Sequence, residues 1–263
     1  SIMPSTNINR CFQILEILCD HGKGMSLGDI AYATDIPKSA THRMLSSLCD
    51  AGYVAQLPSK GYRLTLSLPA LGMRFLSNTD LLNECQLVLN EFAAEIGELV
   101  RMCLVDNGNL IWIAKAQGAR SGLLVDPVAG HKVALHATAT GKVWLASLST
   151  EEALRHVLRD GFGTTDDHGP AVIQTVEALQ EDLKLTDERG YGLAIEEADP
   201  GIVAIAVGLR SSSENGEHVG TLSIAGPHSR LSEEQLVSLL PKLKVVAARL
   251  RGIDALRKFT DGS

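Results

Sequence analysis

The sequence predicts an α+β protein with two unequal parts, a small N-terminal winged helix-turn-helix and a larger C-terminal domain built on an antiparallel sheet. Two observations lead to this fold class. Before residue 66, two short helical patterns joined by a tight turn are followed by a hairpin pattern; beyond residue 98, strand-like segments alternate with helical ones. Strand pairs covered by helices are typical of α+β domains, and 263 residues suffice for a core in each part.

The first helix of the predicted motif begins behind Ser26, whose hydroxyl can cap free backbone N–H groups. Asp29 follows three residues later, near the positive end of the helix dipole. The apolar side consists of Leu27, Ile30 and Ala31. Residues 34–36 form the expected turn.

The second helix has a polar, basic face. Pro37 is expected in its first turn, and an apolar stripe follows at helical spacing through Ala40, Met44, Leu45 and Leu48. The side chains expected to face outward are Lys38, Ser39, Thr41, His42 and Ser46. Arg43 lies between the two faces and is long enough to reach a phosphate or a guanine edge. These residues are therefore the predicted DNA contacts of a recognition helix.

A short hairpin follows this helix. Residues 53–57 and 62–65 have strand-like composition and flank a turn-forming cluster at 58–61. The hairpin is a predicted wing, and its cations Lys60 and Arg63 are added to the predicted DNA contacts. The alternative is a small helical domain that carries a few surface cations, but the order of helix, helix and hairpin favours the winged motif.

The remainder of the chain divides into a connector and the larger domain. Residues 66–80 are interpreted as the connector, and the helical pattern that follows it to Gly97 is either a transmission element or an ordinary core helix. The predicted domains are therefore 1–65, 66–97 and 98–263. Within the last, hairpins are expected at 100–115 and 202–225. The expected helices are 151–158, 176–189 and a final one from Ser232 toward Arg257, started or kinked at Pro241.

Charge and cysteine content narrow the function classes. Residues 1–75 hold seven Lys or Arg and five Asp or Glu, a net charge of +2, whereas the rest of the chain carries −9. A weakly basic module favours DNA binding as a dimer. The five cysteines form no Cys-x-x-Cys pair and no zinc spacing, so we expect reduced thiols in a cytoplasmic protein with no metal and no cofactor. No apolar run is long enough to span a bilayer.

Catalytic motifs are weak. The Gly141-Lys142 pair lacks the preceding glycine and the following Ser or Thr of a phosphate-binding loop. Glu196 and Glu197 could supply an acid and a base, but neighbours on a strand would point to opposite faces. We therefore expect no enzyme activity.

The chain resembles the IclR-type bacterial transcriptional regulators in three places. The segments Leu27-Gly28-Asp29-Ile30-Ala31 and Pro37-Lys38-Ser39 through Arg43-Met44-Leu45 are similar to the family's N-terminal pattern. The second place is His136-Ala137 with Gly141-Lys142, and the third runs from Arg189-Gly190-Tyr191 to the strand at 202–206. The resemblance implies a linker helix and a C-terminal GAF/PAS-like domain that binds an effector, with Glu197 in a structural role.

The same resemblance implies an effector pocket at the start of the helix near residue 139 and on three strands. The corresponding positions in this chain are Ala139, Thr140, Ala194, Ala204, Ser223 and Ala225. The glyoxylate- and pyruvate-sensing pattern has an acidic residue and a cysteine where this chain has Ala194 and Ala204. His136 is more consistent with a structural group than with a ligand contact.

The sequence thus predicts a homodimeric, or tetrameric, regulator of transcription that binds double-stranded operator DNA. A repressor of a catabolic operon, controlled by a small organic acid or a related metabolite, is the favoured interpretation. The alternatives are a metabolite-binding enzyme and a sensor that acts through protein partners without contacting DNA.

Overall fold

The computed structural model describes residues 6–120, 133–164, 166–212 and 217–261. The chain separates into two compact units, one reaching Asn78 and the other starting at Thr79. Within these ranges no helix is both long and apolar enough to cross a membrane.

The N-terminal unit contains three helices, a two-stranded hairpin and a further helix. Their bounds are α1 Asn7–Cys19, α2 Leu27–Thr34, α3 Lys38–Asp50, β1 Val54–Gln56, β2 Tyr62–Leu64 and α4 Ser67–Thr79. The core of this unit brings together apolar residues of α1, α2, α3 and the hairpin, among them Ile14, Leu18, Ile30, Leu45 and Val54. The winged helix-turn-helix predicted from the sequence is confirmed.

Local chemistry explains the turn between α2 and α3. The Ser26 hydroxyl accepts a hydrogen bond from the Asp29 N–H at 3.1 Å and so caps the start of α2. Asp35 ends that helix in the left-handed region, at φ 52°, where a short polar side chain is tolerated. Pro37 lies immediately before α3 rather than inside its first turn, a shift of one residue.

The segment predicted as a connector, residues 66–80, is largely helical. It forms α4, which has no buried residue and holds Pro69 in its first turn, where a missing N–H is tolerated. The boundary between the units falls at the end of this helix, so the predicted region 66–97 is shared between the two units.

The C-terminal unit has five strands and seven helices among the described residues. The strands are β3 Leu99–Asp106, β4 Asn109–Gln117, β5 Gly192–Ile195, β6 Ile202–Arg210 and β7 His218–Pro227. The helices are α5 Asn83–Ile96, α6 Ala139–Ala146, α7 Thr150–Asp160, α8 Val176–Arg189, α9 Glu233–Ser238, α10 Leu240–Arg251 and α11 Asp254–Asp261. The strands form one antiparallel sheet in the order β4-β3-β7-β6-β5.

Helices cover the sheet. Helix α6 contacts β5, β6 and β7, while α5 contacts β3, β4 and α10. The buried side of α5, including Val88, Leu89 and Phe92, supports the core-helix interpretation of the pattern that ends at Gly97. The prediction of one continuous final helix is wrong. The helix is interrupted at Leu239, between α9 and α10, and Pro241 lies in the first turn of α10.

Candidate functional site

The recognition helix α3 presents a continuous polar face. Five of the predicted DNA contacts on this helix are exposed, namely Lys38, Ser39, His42, Arg43 and Ser46. A turn of 3.6 residues places all five on one side of the helix, opposite Ala40 and Met44, which are buried in the core. The Lys38 and Arg43 side chains have no hydrogen bond or ion pair to any described residue, so both cations are available to a phosphate or a base edge.

Thr41 corrects one of the predicted DNA contacts. Its side chain is fully buried, and its hydroxyl donates to the carbonyl oxygens of Ile36 and Pro37 at 3.3 and 3.2 Å. Thr41 lies three residues before Met44 and four before Leu45, which puts it on the apolar stripe of α3. It therefore holds the helix in place and cannot contact DNA.

The wing cations are both exposed. Arg63 lies opposite Ala55 in the hairpin, and its Nη1 donates to the Leu64 carbonyl at 3.2 Å. Lys60 occupies the turn with φ 65°, an uncommon conformation for a residue with a side chain. The main chain of this turn is fixed by hydrogen bonds between Leu57 and both Lys60 and Gly61.

All six predicted effector positions lie on one face of the C-terminal sheet or on helix α6 above it. Ala194, Ala204 and Ala225 are directly opposite one another on β5, β6 and β7. They form an apolar cluster with Ala139 of α6 and with Leu99. A Cβ atom on Gly192 would lie 2.1 Å from the Ala139 carbonyl oxygen, so α6 approaches the sheet very closely there.

Thr140, the sixth predicted position, belongs to a buried polar group below α6. Its hydroxyl bonds to the Thr221 hydroxyl, and both side chains bond to the Cys103 thiol. Burial raises the pKa of Cys103 to about 12, so this thiol stays neutral. Thr140 is therefore engaged within the protein.

Ser223 is the remaining predicted position with a polar side chain. It is buried on β7, and its Oγ has no hydrogen-bond partner among the described residues. Arg101 lies directly opposite Ser223 on β3, and its Nε is likewise shielded and unpartnered within the described part of the chain. The Arg101 guanidinium stacks 4.0 Å above the Trp112 ring. Burial lowers the pKa of Arg101 to about 10, which still leaves it charged near neutral pH.

Lys142, which from sequence is only a weak candidate for a phosphate-binding loop, is a buried cation. Its Nζ lies 2.9 Å from both carboxylate oxygens of Glu197 and 2.6 Å from Asp182 Oδ2. Burial raises the pKa of Glu197, and the Lys142 charge opposes that shift. The signal for this cluster was a lysine in a helix whose other residues are small or apolar.

Contrary to the prediction from sequence, Glu196 and Glu197 do not lie on a strand. β5 ends at Ile195, and Glu196 has φ 52°, so the chain turns immediately after the strand. Glu197 is held by Lys142 and also accepts from the Ile195 N–H at 3.2 Å. This arrangement agrees with the structural role implied for Glu197.

His136 is buried just before α6. Its ring makes edge contacts with Phe162 and His168 at centroid distances of 5.1 and 5.0 Å. Burial, with a smaller contribution from His168, lowers the pKa of His136 to about 4. The imidazole is therefore neutral at physiological pH.

A winged helix-turn-helix with a free basic face, joined to a helix-covered antiparallel sheet, defines a DNA-binding regulator of transcription. Residues 8–58 match the family described as the IclR helix-turn-helix domain, and residues 73–251 match the one described as the bacterial transcriptional regulator IclR C-terminal. The chain belongs to the IclR family of transcriptional regulators.

Known proteins resemble the chain along most of its length. It is 28% identical over 239 residues to the HTH-type transcriptional regulator XynR of Escherichia coli K12, covering 90% of this chain and 92% of that protein. It is also 28% identical over 233 residues to the transcriptional repressor IclR of the same organism, covering 88% and 83%. A crystal structure of an IclR homologue complexed with 4-hydroxybenzoate, from Microbacterium hydrocarbonoxydans, has a TM-score of 0.72 at 21% identity, covering 96% of this chain and 99% of that one.

Proposed function

We propose that this regulator is a cytoplasmic repressor of a catabolic operon, released from its operator by a small organic acid. The observation that carries the DNA-binding part is the exposed face of α3, where Lys38 and Arg43 have no partner among the described residues. The relatives support the sign of regulation, since one of them is named a transcriptional repressor.

The operator is expected to have two half-sites. The face of α3 and the wing offer only a few cations, Lys38, Arg43, Lys60 and Arg63, and a single module of this kind makes too few phosphate contacts for tight binding. A homodimer, or a tetramer built from two dimers, would double the contacts. Half-sites in such operators lie one helical turn or a multiple of it apart.

The effector is proposed to bind on the α6 side of the C-terminal sheet, at Ala139, Thr140, Ala194, Ala204, Ser223 and Ala225. Four of these residues are alanines and the only unpartnered polar atom among them is the Ser223 Oγ, within the described residues. Such a surface favours a ligand with one polar end and an apolar body. The structural relative complexed with 4-hydroxybenzoate carries a ligand of this kind.

Footprinting with the full chain on DNA from upstream of its own gene tests this function. We expect protection of two half-sites about one helical turn, or a multiple, apart, and a steep loss of affinity as salt concentration rises. Protection that is equal on a scrambled fragment of the same length, or confined to a single half-site, would contradict the proposal.

A further inference from the structure

The sheet face below α6 continues past the alanine cluster to a group of polar side chains. In the register of the strands, Ser223 on β7, Arg101 on β3 and Lys115 on β4 lie directly opposite one another. Residues opposite each other in an antiparallel sheet project from the same face. Trp112 of β4 adds its ring, stacked at 4.0 Å on the Arg101 guanidinium.

The position of Arg101 is unfavourable for folding alone. The Arg101 Nε, which is shielded from water, needs an acceptor, because a buried polar group without a hydrogen bond is costly. No carboxylate of the described residues lies within ion-pair distance of Arg101, and its Nε has no acceptor there. Lys115 lies opposite Arg101 on β4, and Asp199 favours the charged form of the guanidinium from beyond ion-pair distance.

Ser223 has the same deficit. Its Oγ is buried, has no hydrogen-bond partner among the described residues, and belongs to the residue opposite Arg101. A hydroxyl and a guanidinium together can hold both oxygens of a carboxylate, since the guanidinium fork matches carboxylate geometry. The neighbouring Ala225 and Leu99 are buried on the same face and make the surroundings of Ser223 apolar.

We propose that Arg101 and Ser223 bind the carboxylate of the effector, with the Trp112 ring and the Ala225 side of the sheet against its apolar body. The inference rests on the proposed function, and it assigns the acidic end of the effector to β3 and β7. Ala194 and Ala204 stand where the glyoxylate- and pyruvate-sensing pattern has a carboxylate and a thiol. In this chain the proposed polar contact is instead a cation on another strand, Arg101 of β3. The ligand class is therefore a monocarboxylic acid with an aromatic or aliphatic body.

Stability without ligand separates this role from a structural one. A residue kept for its binding function destabilises the empty protein, so we expect Arg101→Met to unfold at the same or a higher temperature than wild type in the absence of ligand. A structural arginine would behave in the opposite way, and a lower Tm for Arg101→Met would count against the proposal.

Calorimetric titration of the full chain tests the binding itself. The probes are benzoate, 4-hydroxybenzoate and hexanoate, each with its neutral primary amide. We expect at least one carboxylate to bind at least about tenfold more tightly than its amide, and Arg101→Gln to weaken that carboxylate by about tenfold or more. Ser223→Ala should weaken it by a smaller factor. Arg155→Gln, which removes an exposed arginine from α7, is the matched control and should bind as wild type does.

The outcomes are distinct from those of the operator experiment. If the wild-type chain binds none of the carboxylates, or if Arg101→Gln binds them as tightly as wild type, the assignment of Arg101 is overturned. If wild-type protein protects no operator but still binds a carboxylate through Arg101, the proposed repressor function fails while the carboxylate site stands.

Discussion

Two cations of α3 and two cations of the C-terminal unit, Lys142 and Arg101, occupy different environments. On α3, Lys38 and Arg43 are exposed and have no partner among the described residues. In the C-terminal unit, Lys142 is buried and bound to two carboxylates, while Arg101 has a shielded Nε that lacks an acceptor in the described part of the chain.

This difference separates three tasks that a positive charge performs in the protein. An exposed, hydrated cation has little effect on the free energy of folding and can bind a DNA phosphate. A buried cation with well-placed carboxylates fixes the fold, because removing one partner leaves the others desolvated. A cation with a shielded N–H that lacks an acceptor, such as Arg101, disfavours folding, and a ligand that supplies the acceptor would remove that cost. Substitutions should therefore divide cleanly between loss of stability and loss of binding.

The largest effect is expected at the paired cation. Lys142→Met should destabilise the chain by about 3–5 kcal/mol, because it leaves Glu197 buried beside Asp182 without a counter-charge. Chemical denaturation of the full chain, monitored by circular dichroism, measures this loss.

The double variant Lys142→Met with Glu197→Gln serves as the control. It removes both charges of the more deeply buried pair and should regain part of the lost stability. Equal stability of Lys142→Met and wild type would show that the cluster does not hold the fold.

The next effect depends on pH. Because the pKa of His136 is lowered to about 4 from its ordinary value of 6.5, the unfolded chain takes up a proton that the folded chain rejects. The stability contributed by the neutral ring is present above pH 6.5 and is lost as the pH falls toward 4, by no more than about 3 kcal/mol.

Unfolding curves between pH 7 and pH 4 measure this dependence, with His136→Gln as the comparison. The variant should lose less stability on acidification, although His156 and His218, whose pKa values burial also lowers, keep part of the slope. Identical slopes for the two proteins would rule out a buried neutral His136.

Gly141 and Gly72 differ in how much space their backbone leaves for a side chain. A Cβ on Gly141 of α6 would lie 2.4 Å from the Leu135 carbonyl oxygen, whereas a Cβ on Gly72 of α4 meets nothing within 4 Å. Gly141→Ala should therefore destabilise by about 1–3 kcal/mol, and Gly72→Ala should stabilise by about 0.5–1 kcal/mol. Thermal unfolding of both variants checks the pair, and a common sign would contradict it.

The sequence predicted elements whose signals are local. The capping residue Ser26 and the turn at Asp35 placed α2 and α3 correctly, because caps and turns involve residues a few positions apart. The error at Thr41 was avoidable, since its spacing from Met44 and Leu45 puts it on the buried stripe. A polar residue was assigned to the surface by its type instead of its position.

Contacts between residues that are far apart in sequence could not be predicted from the sequence. Lys142 and Glu197 are 55 residues apart, and no local pattern joins them. Arg101 lies opposite Ser223 because β3 is beside β7 in the sheet. These two strands are far apart in sequence, so no local pattern predicts that they are neighbours. The helical form of segment 66–80 was not predicted, because Pro69 and Gly72 suggest a break, although proline is tolerated in a first turn.

The most direct test of the central claim is the effect of Arg43→Ala on operator affinity and on stability, measured side by side. Fluorescence anisotropy with the footprinted DNA should show a loss of about 1–3 kcal/mol, while thermal unfolding should match wild type because the side chain is exposed. Arg74→Ala, which removes an exposed arginine from α4, should bind nearly as wild type does. An Arg43→Ala chain that binds its operator as tightly as wild type, or that loses affinity only because it unfolds, would contradict the assignment of α3 as the recognition helix.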